Sequence, residues 1–156
     1  MNTVGGMSRL RIFLDANIFI SACRSPKGDA GQIIETLHKG RHELVTIRQV
    51  IHQVRRHLAK KAPKEAGQRL LELAEKLSLE VNPDPNPVQC NPYRHLIADH
   101  DLPVLAAAVI AGCDYLLTLD DKDFFSRRLK RGNLPLTIIR PVDLQRLLEE
   151  HGELRL

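Results

Sequence analysis

The sequence predicts an α/β fold, a three-layer α/β/α sandwich with a central parallel sheet, and three observations carry that reading. Short apolar runs of strand character alternate along the chain with longer stretches whose apolar residues recur at helical spacing. No internal repeat interrupts the alternation. Aspartates follow the apolar runs: Arg11-Ile-Phe-Leu-Asp15, Ile97-Ala-Asp99-His-Asp101, and Tyr115-Leu-Leu-Thr-Leu-Asp120 with Asp123 close behind. In a parallel sheet the strand ends face one crevice, so these carboxylates converge although Asp15 and Asp120 are more than a hundred residues apart.

Taken in order, residues 1–10 read as a flexible N-terminus, 11–150 as a single domain and 151–156 as a C-terminal tail. Arg11 to Leu14 is a short buried strand, and Ala16 to Ala22 a helix that starts at Asp15. A turn at Ser25-Pro-Lys-Gly28 leads into a helix with Ile33, Ile34 and Leu37 on one face. Asp29 and Gln32 stand at capping-box spacing at its start, and Gly40 closes it. Leu44 to Thr46 is a second strand. Ile47, Val50, Ile51, Val54 and Leu58 then recur at helical spacing, and Pro63 separates them from a helix carrying Leu70, Leu71, Ala74 and Leu77.

Leu79 to Val81 forms a third short strand, and the four prolines between Asn82 and Pro92 predict a stiff surface loop without regular helix. Leu102 to Ala111 is a strongly apolar helix ended by Gly112, and Tyr115 to Thr118 a strand. Asp121 to Arg131 reads as a short basic helix, Leu136 to Ile139 as the last strand, and Val142 to Glu150 as a closing helix after Pro141.

At 156 residues the chain is long enough to bury a core without disulfides or structural metal. Cys23, Cys90 and Cys113 are odd in number and widely spaced, which excludes a disulfide framework or zinc ribbon and fits a reducing compartment. Met1 to Met7 lacks the basic and apolar regions of a signal peptide. The longest apolar run, Leu102 to Cys113, falls well short of the roughly 20 residues of a membrane span. The expected location is the cytoplasm, with no membrane partner.

A net charge of +4 is mildly basic, and its distribution is more informative than its size. Arg55, Arg56, Lys60, Lys61 and Lys64 form one cluster, and Arg127, Arg128, Lys130 and Arg131 another. Solvated helix faces account for either cluster alone. Flanking an acidic centre, they would hold a phosphate backbone that the carboxylates repel. With only four Phe, two Tyr and no Trp, stacking platforms for bases are not the main device.

Each aspartate also has a plain structural use, since Asp15, Asp101 and Asp120 all precede predicted helices and aspartate is a good N-cap. Capping would accept Ser, Thr or Asn equally well. Several anions at one sheet edge repel one another unless a cation lies between them, and oxygen ligands select Mg²⁺ or Mn²⁺. Asp99 and Asp123 add to the acidic count, and Asn17 and Thr118 are small polar neighbours able to orient ligands or an attacking water. His95 and His100 show no zinc-site spacing. There is no Walker-type loop and no strand-borne Asp-x-Asp, which disfavours nucleotide-handling and phosphatase readings.

Three runs together resemble the acidic signatures of the PIN-domain ribonucleases: Phe13-Leu-Asp15-Ala-Asn17-Ile-Phe-Ile-Ser21, Asp101-Leu-Pro-Val-Leu-Ala-Ala-Ala108 and Thr118-Leu-Asp120-Asp-Lys-Asp123-Phe124. The resemblance spans roughly residues 11 to 148 and is nearest to the stand-alone prokaryotic, VapC-like toxins. It implies a Mg²⁺- or Mn²⁺-dependent endoribonuclease in which Asp15, Asp101 and Asp120 are the catalytic, metal-binding acids and Asp123 a further ligand. It also implies Gln53 as a supporting residue beside Asn17, Asp99 and Thr118, whose places next to the acids suggest the same although backbone hydrogen bonding is the commoner use of Asn17 and Thr118, and it implies RNA, an antitoxin protein and a second copy of the chain as partners. Arg55, Arg56, Lys60, Arg127 and Arg128 would contact RNA. One position departs from the pattern: Gln53, in Val50-Ile-His-Gln53-Val54, stands where the family usually has glutamate. Glutamine keeps a carbonyl acceptor and loses the charge, which lowers metal affinity. The alternative is therefore a weak or inactive PIN-fold module that binds RNA or protein. His52 beside it is a candidate base or ligand, although a solvated helix histidine is the commoner case.

Overall fold

In the computed structural model, residues 3–4, 7–61 and 64–151 are described. Five strands form one parallel sheet: β1 (Arg11–Leu14), β2 (Glu43–Ile47), β3 (Glu80–Asn82), β4 (Tyr115–Leu117) and β5 (Thr137–Ile139), in the order β3-β2-β1-β4-β5. Strand β1 is central, with Phe13 beside Val45 of β2 on one side and Leu116 of β4 on the other. Ile12, Phe13 and Leu14 are all fully buried, because helices cover both faces of a parallel sheet and alternation is lost. The order reverses between β1 and β4, which opens a crevice at their carboxyl ends.

Helix α1 (Ala16–Arg24) packs against α2 (Asp29–Lys39), α3 (Arg48–Lys61) and α4 (Lys64–Leu77), and α2 also meets α8 (Pro141–Glu150). The third layer holds the short α5 (Pro87–Cys90) and the apolar α6 (Leu102–Ile110), which lies over β2 and β4. Helix α7 (Arg127–Arg131) joins β4 to β5. The three-layer α/β/α sandwich follows. Among the described residues no helix is long and apolar enough to cross a membrane.

Several expected elements are corrected. The Asn82–Pro92 segment is not free of helix, because Pro87 stands in the first turn of α5 and Pro92 in that of a 3₁₀ turn, Asn91–Tyr93. In that position a missing N–H costs no hydrogen bond. Asn86 and Gln89 complete a reciprocal cap for α5. The basic helix is only Arg127–Arg131, since residues 121–125 form turns and Ser126 caps the helix by accepting from the Leu129 N–H. The run before Asp99 and Asp101 is a series of turns and not a strand. Asp29 and Gln32 form no capping box: α2 begins at Asp29 itself, behind Gly28, and Gln32 donates instead to the Lys27 carbonyl, 2.7 Å. Ile47 belongs to β2 rather than to the helix after it.

Gly112 ends α6 as expected. Its φ of +68° places it in the left-handed region, with the Gly112 and Cys113 N–H groups donating to Val109 and Ala108. Pro63 lies outside the described residues, as do 1–2, 5–6 and 152–156. Within the expected flexible start, Thr3–Val4 pairs antiparallel with Met7–Ser8. Cys23, Cys90 and Cys113 are buried free thiols.

The end of the sheet opposite the crevice is tied by Arg11, a residue with no evident role in the sequence. Its guanidinium meets Glu43 at 2.7 Å and Glu80 at 2.9 Å, and its backbone N–H donates to Asp114, 2.8 Å. These bonds raise the Arg11 pKa further, so the cation is permanent. On the α1 side, Gly31 lets the start of α2 lie against the preceding turn, where a methyl group would fall 2.1 Å from the Pro26 carbonyl oxygen. Gly31→Ala is therefore expected to cost about 2 kcal/mol or more in urea unfolding, as overpacking against backbone does. A change below about 0.5 kcal/mol would show that the α1–α2 turn is not fixed as described.

Candidate active site

The carboxyl end of β1 delivers Asp15 directly into the crevice, as cap of α1. Its Oδ1 accepts from the Ala16 N–H at 2.8 Å and its Oδ2 from the Thr118 hydroxyl at 2.8 Å. Thr118 is fully buried just past β4, and its hydroxyl oxygen also accepts from the Asp120 N–H, 3.1 Å. Asn17 spans the same gap, its amide 3.2 Å from the Thr118 hydroxyl and its Oδ1 accepting from the Leu119 N–H at 2.9 Å. Thr118 and Asn17 thus lock the ends of β1 and β4 together and fix where Asp15 and Asp120 stand.

Asp120 closes a tight turn with its own side chain, Oδ1 accepting from the Lys122 and Asp123 N–H groups at 3.1 and 3.2 Å. That turn aims Asp123 back toward Asp101. Phe124 beside it is buried, and Arg140 holds the outer side of the segment, its Nε donating to Asp121 at 2.7 Å and its guanidinium 3.9 Å over the Phe125 ring. Neither Arg140 nor Asp121 carries a visible signal in the sequence.

Asp101 enters from the third layer. It stands at the N-cap position of α6 but makes no capping hydrogen bond, so the helix-capping explanation fails for this residue. Its Oδ2 is buried without a hydrogen bond of acceptable geometry, and His100 Nε2 lies 3.0 Å from it. The same Nε2 is 3.1 Å from Asp123 Oδ2. Among the described residues, His100, Asp101 and Asp123 form a trio whose ligand atoms all lie within 4.8 Å of one another. Asp15 and Asp120 do not join it at that distance.

The carboxylates nevertheless feel one another. Burial pushes the Asp15 pKa up, against the Thr118 and Ala16 hydrogen bonds that favour its charge, and Asp120 adds repulsion. Asp101 is pushed up to about 8, first by burial, then by a proton shared with Asp123, and by the charges of Asp120, Asp123 and Asp15. Asp123 is correspondingly lowered, chiefly by its bond to Asp101. A divalent cation fits this donor set: it would satisfy the orphaned Asp101 oxygen and relieve the repulsion.

The other expected residues are more loosely placed. Asp99 is exposed, and its backbone carbonyl is 3.4 Å from the Leu102 N–H. Gln53 and His52 are exposed on α3, as are Arg55, Arg56 and Lys60. Arg127 and Arg128 are exposed on α7, directly after the segment that bears Asp123. His100 was missed, because its partner Asp123 is distant in sequence and no zinc-type spacing links them.

The PIN domain family model matches residues 11–122, and the chain belongs to the PIN-domain family. Solved structures share the fold. VapBC2 from Rickettsia felis, bound to a DNA fragment from its promoter, aligns with TM-score 0.60 at 20% identity over 84% of this chain and 98% of that one. FitAcB from Neisseria gonorrhoeae gives 0.60 at 14% identity over 84% and 98%. VapC20 from Mycobacterium tuberculosis, described as a Sarcin-Ricin loop cleaving toxin, gives 0.56 at 12% over 79% and 95%. No curated protein matches the sequence.

The Asp101 shift has a stability consequence. A carboxyl raised in the folded state, from an ordinary 3.8 to about 8, contributes stability fully at low pH and loses it as pH rises through about 8. In EDTA, the melting temperature is expected to fall between pH 5 and 8.5 by about 5 °C more than in Asp101→Asn, which corresponds to about 2 kcal/mol. Parallel pH profiles for the two proteins would contradict the crowding of Asp101.

Proposed function

We propose that this chain is a divalent-cation-dependent endoribonuclease of the toxin-like PIN class, using Mg²⁺ or Mn²⁺. The observation that carries the reading is the group of buried, mutually repelling carboxylates at the sheet's switch point, in which Asp101 Oδ2 lacks a hydrogen bond of acceptable geometry. Membership of the PIN family supports it, as does the structural likeness to a toxin described as cleaving the Sarcin-Ricin loop.

Asp15, Asp101, Asp120 and Asp123 would hold the cation. When bound, the ion supplies positive charge against the phosphate and acidifies water at neutral pH. The chain's own part is positional. Thr118 and Asn17 keep Asp15 from rotating away, since each of its oxygens already has a fixed donor. The Asp120 turn and the Arg140 contacts set the distance of Asp123 from Asp101. Arg127 and Arg128 of α7 and Arg55, Arg56 and Lys60 of α3 would hold the RNA backbone that the acids repel. An antitoxin protein and a second copy of the chain are the expected partners, in keeping with the likeness to VapBC2 and FitAcB structures. Exposed Val88 and Ile110 offer apolar surface for such contacts.

Gln53 favours a second reading, a PIN-fold module that retains RNA without cutting it, because the residue brings no charge to the cation. Purified protein incubated with structured and single-stranded RNAs separates the two. Cleavage in Mn²⁺ or Mg²⁺ is expected, abolished by EDTA and reduced about 100-fold or more in Asp101→Asn. RNA retention without cleavage would establish the second reading, and EDTA-resistant cleavage equal in both proteins would overturn the site.

A further inference from the structure

We infer that His100 is a nitrogen ligand of the same cation site and that it tilts the site toward Mn²⁺ over Mg²⁺. The inference rests on the acidic crevice being a divalent-cation site and adds to it a donor and a metal preference.

The geometry is what singles out His100. One ring atom, Nε2, faces two carboxylate oxygens at once, 3.0 Å from Asp101 Oδ2 and 3.1 Å from Asp123 Oδ2. A single N–H shared between two oxygens bonds each weakly, and the buried Asp101 oxygen remains without a hydrogen bond of acceptable geometry. Neighbouring ligands on an octahedral ion with bonds of about 2.1 Å stand about 3 Å apart, which is the spacing seen from Nε2 to each oxygen. The His100 side chain is 73% exposed while the Asp101 side chain is 13% exposed. The imidazole therefore closes the site from the solvent side and is not needed to hold the core.

Imidazole nitrogen is a softer donor than carboxylate oxygen. Mg²⁺ is bound through oxygen and keeps several waters, whereas first-row transition ions accept nitrogen readily. A site of carboxylates plus one imidazole therefore discriminates by donor type, and removing the imidazole leaves an oxygen site in which Mg²⁺ loses little.

The test uses the full chain loaded with Mn²⁺, read by pulsed electron paramagnetic resonance for ¹⁴N coupling to the ion, with Mn²⁺ affinity from the free-ion signal and Mg²⁺ affinity by competition. Melting curves in EDTA check that His100→Ala keeps the fold. Wild type is expected to show coordinated imidazole nitrogen that disappears in His100→Ala. Mn²⁺ binding should weaken about tenfold in the variant while Mg²⁺ binding changes less than about twofold. Mn²⁺ binding without ¹⁴N coupling, coupling that persists in His100→Ala, or an unchanged Mn²⁺ to Mg²⁺ ratio would overturn the role of His100 and leave the carboxylate site standing. No Mn²⁺ binding by wild type at millimolar metal would overturn both.

Discussion

Mutual repulsion among carboxylates at the carboxyl ends of β1 and β4 is the constraint around which this molecule is arranged. Asp15, Asp101, Asp120 and Asp123 come from a strand end, a helix start and a tight turn; hydrogen bonds hold Asp15 and the Asp120–Asp123 turn in place, whereas Asp101 makes no capping bond. Water would ordinarily screen them. Here Asp15 and Asp101 are buried, and the cost appears as carboxyl groups that resist ionisation. A fold selected for stability alone would place Asn or Ser at these positions, which meet the same backbone donors without the charge.

The rest of the fold supplies the rigidity that such crowding demands. Fully buried Ile12, Phe13 and Leu14 anchor β1 at the centre of the sheet, so the residue that follows them cannot retreat. Arg11 ties β1 to the glutamates of β2 and β3 at the far end. Among the described residues, no arginine or lysine forms an ion pair with Asp15, Asp101, Asp120 or Asp123. Arg55, Arg56 and Lys60 are exposed on α3, and Arg127 and Arg128 on α7.

Much of this was legible in the sequence because local signals and tertiary placement agree. A parallel strand buried on both faces reads as an unbroken apolar run, and the residue ending it must lie at the sheet's carboxyl edge, so Asp15 and Asp120 were visible. Asp101 was visible through the acidic run that it ends and the Asp101–Ala108 signature that it opens. What was not legible depends on contacts between distant segments. The meeting of His100 with Asp123 requires both the turns before α6 and the turn closed by Asp120. Arg140 over Phe125 joins β5's end to that same turn. The prolines of the 83–92 segment misled because proline breaks a helix in its interior yet begins one in its first turn, and only the capping by Asn86 decides between the two.

Anomalous diffraction from crystals of the full chain soaked in Mn²⁺ tests most directly whether the crevice is a divalent-cation site. One manganese peak is expected between the Asp101 and Asp123 carboxylates, on the side of the crevice that faces Asp15 and Asp120. Well-ordered crystals that show no peak there, or manganese only at other surface carboxylates, would contradict it.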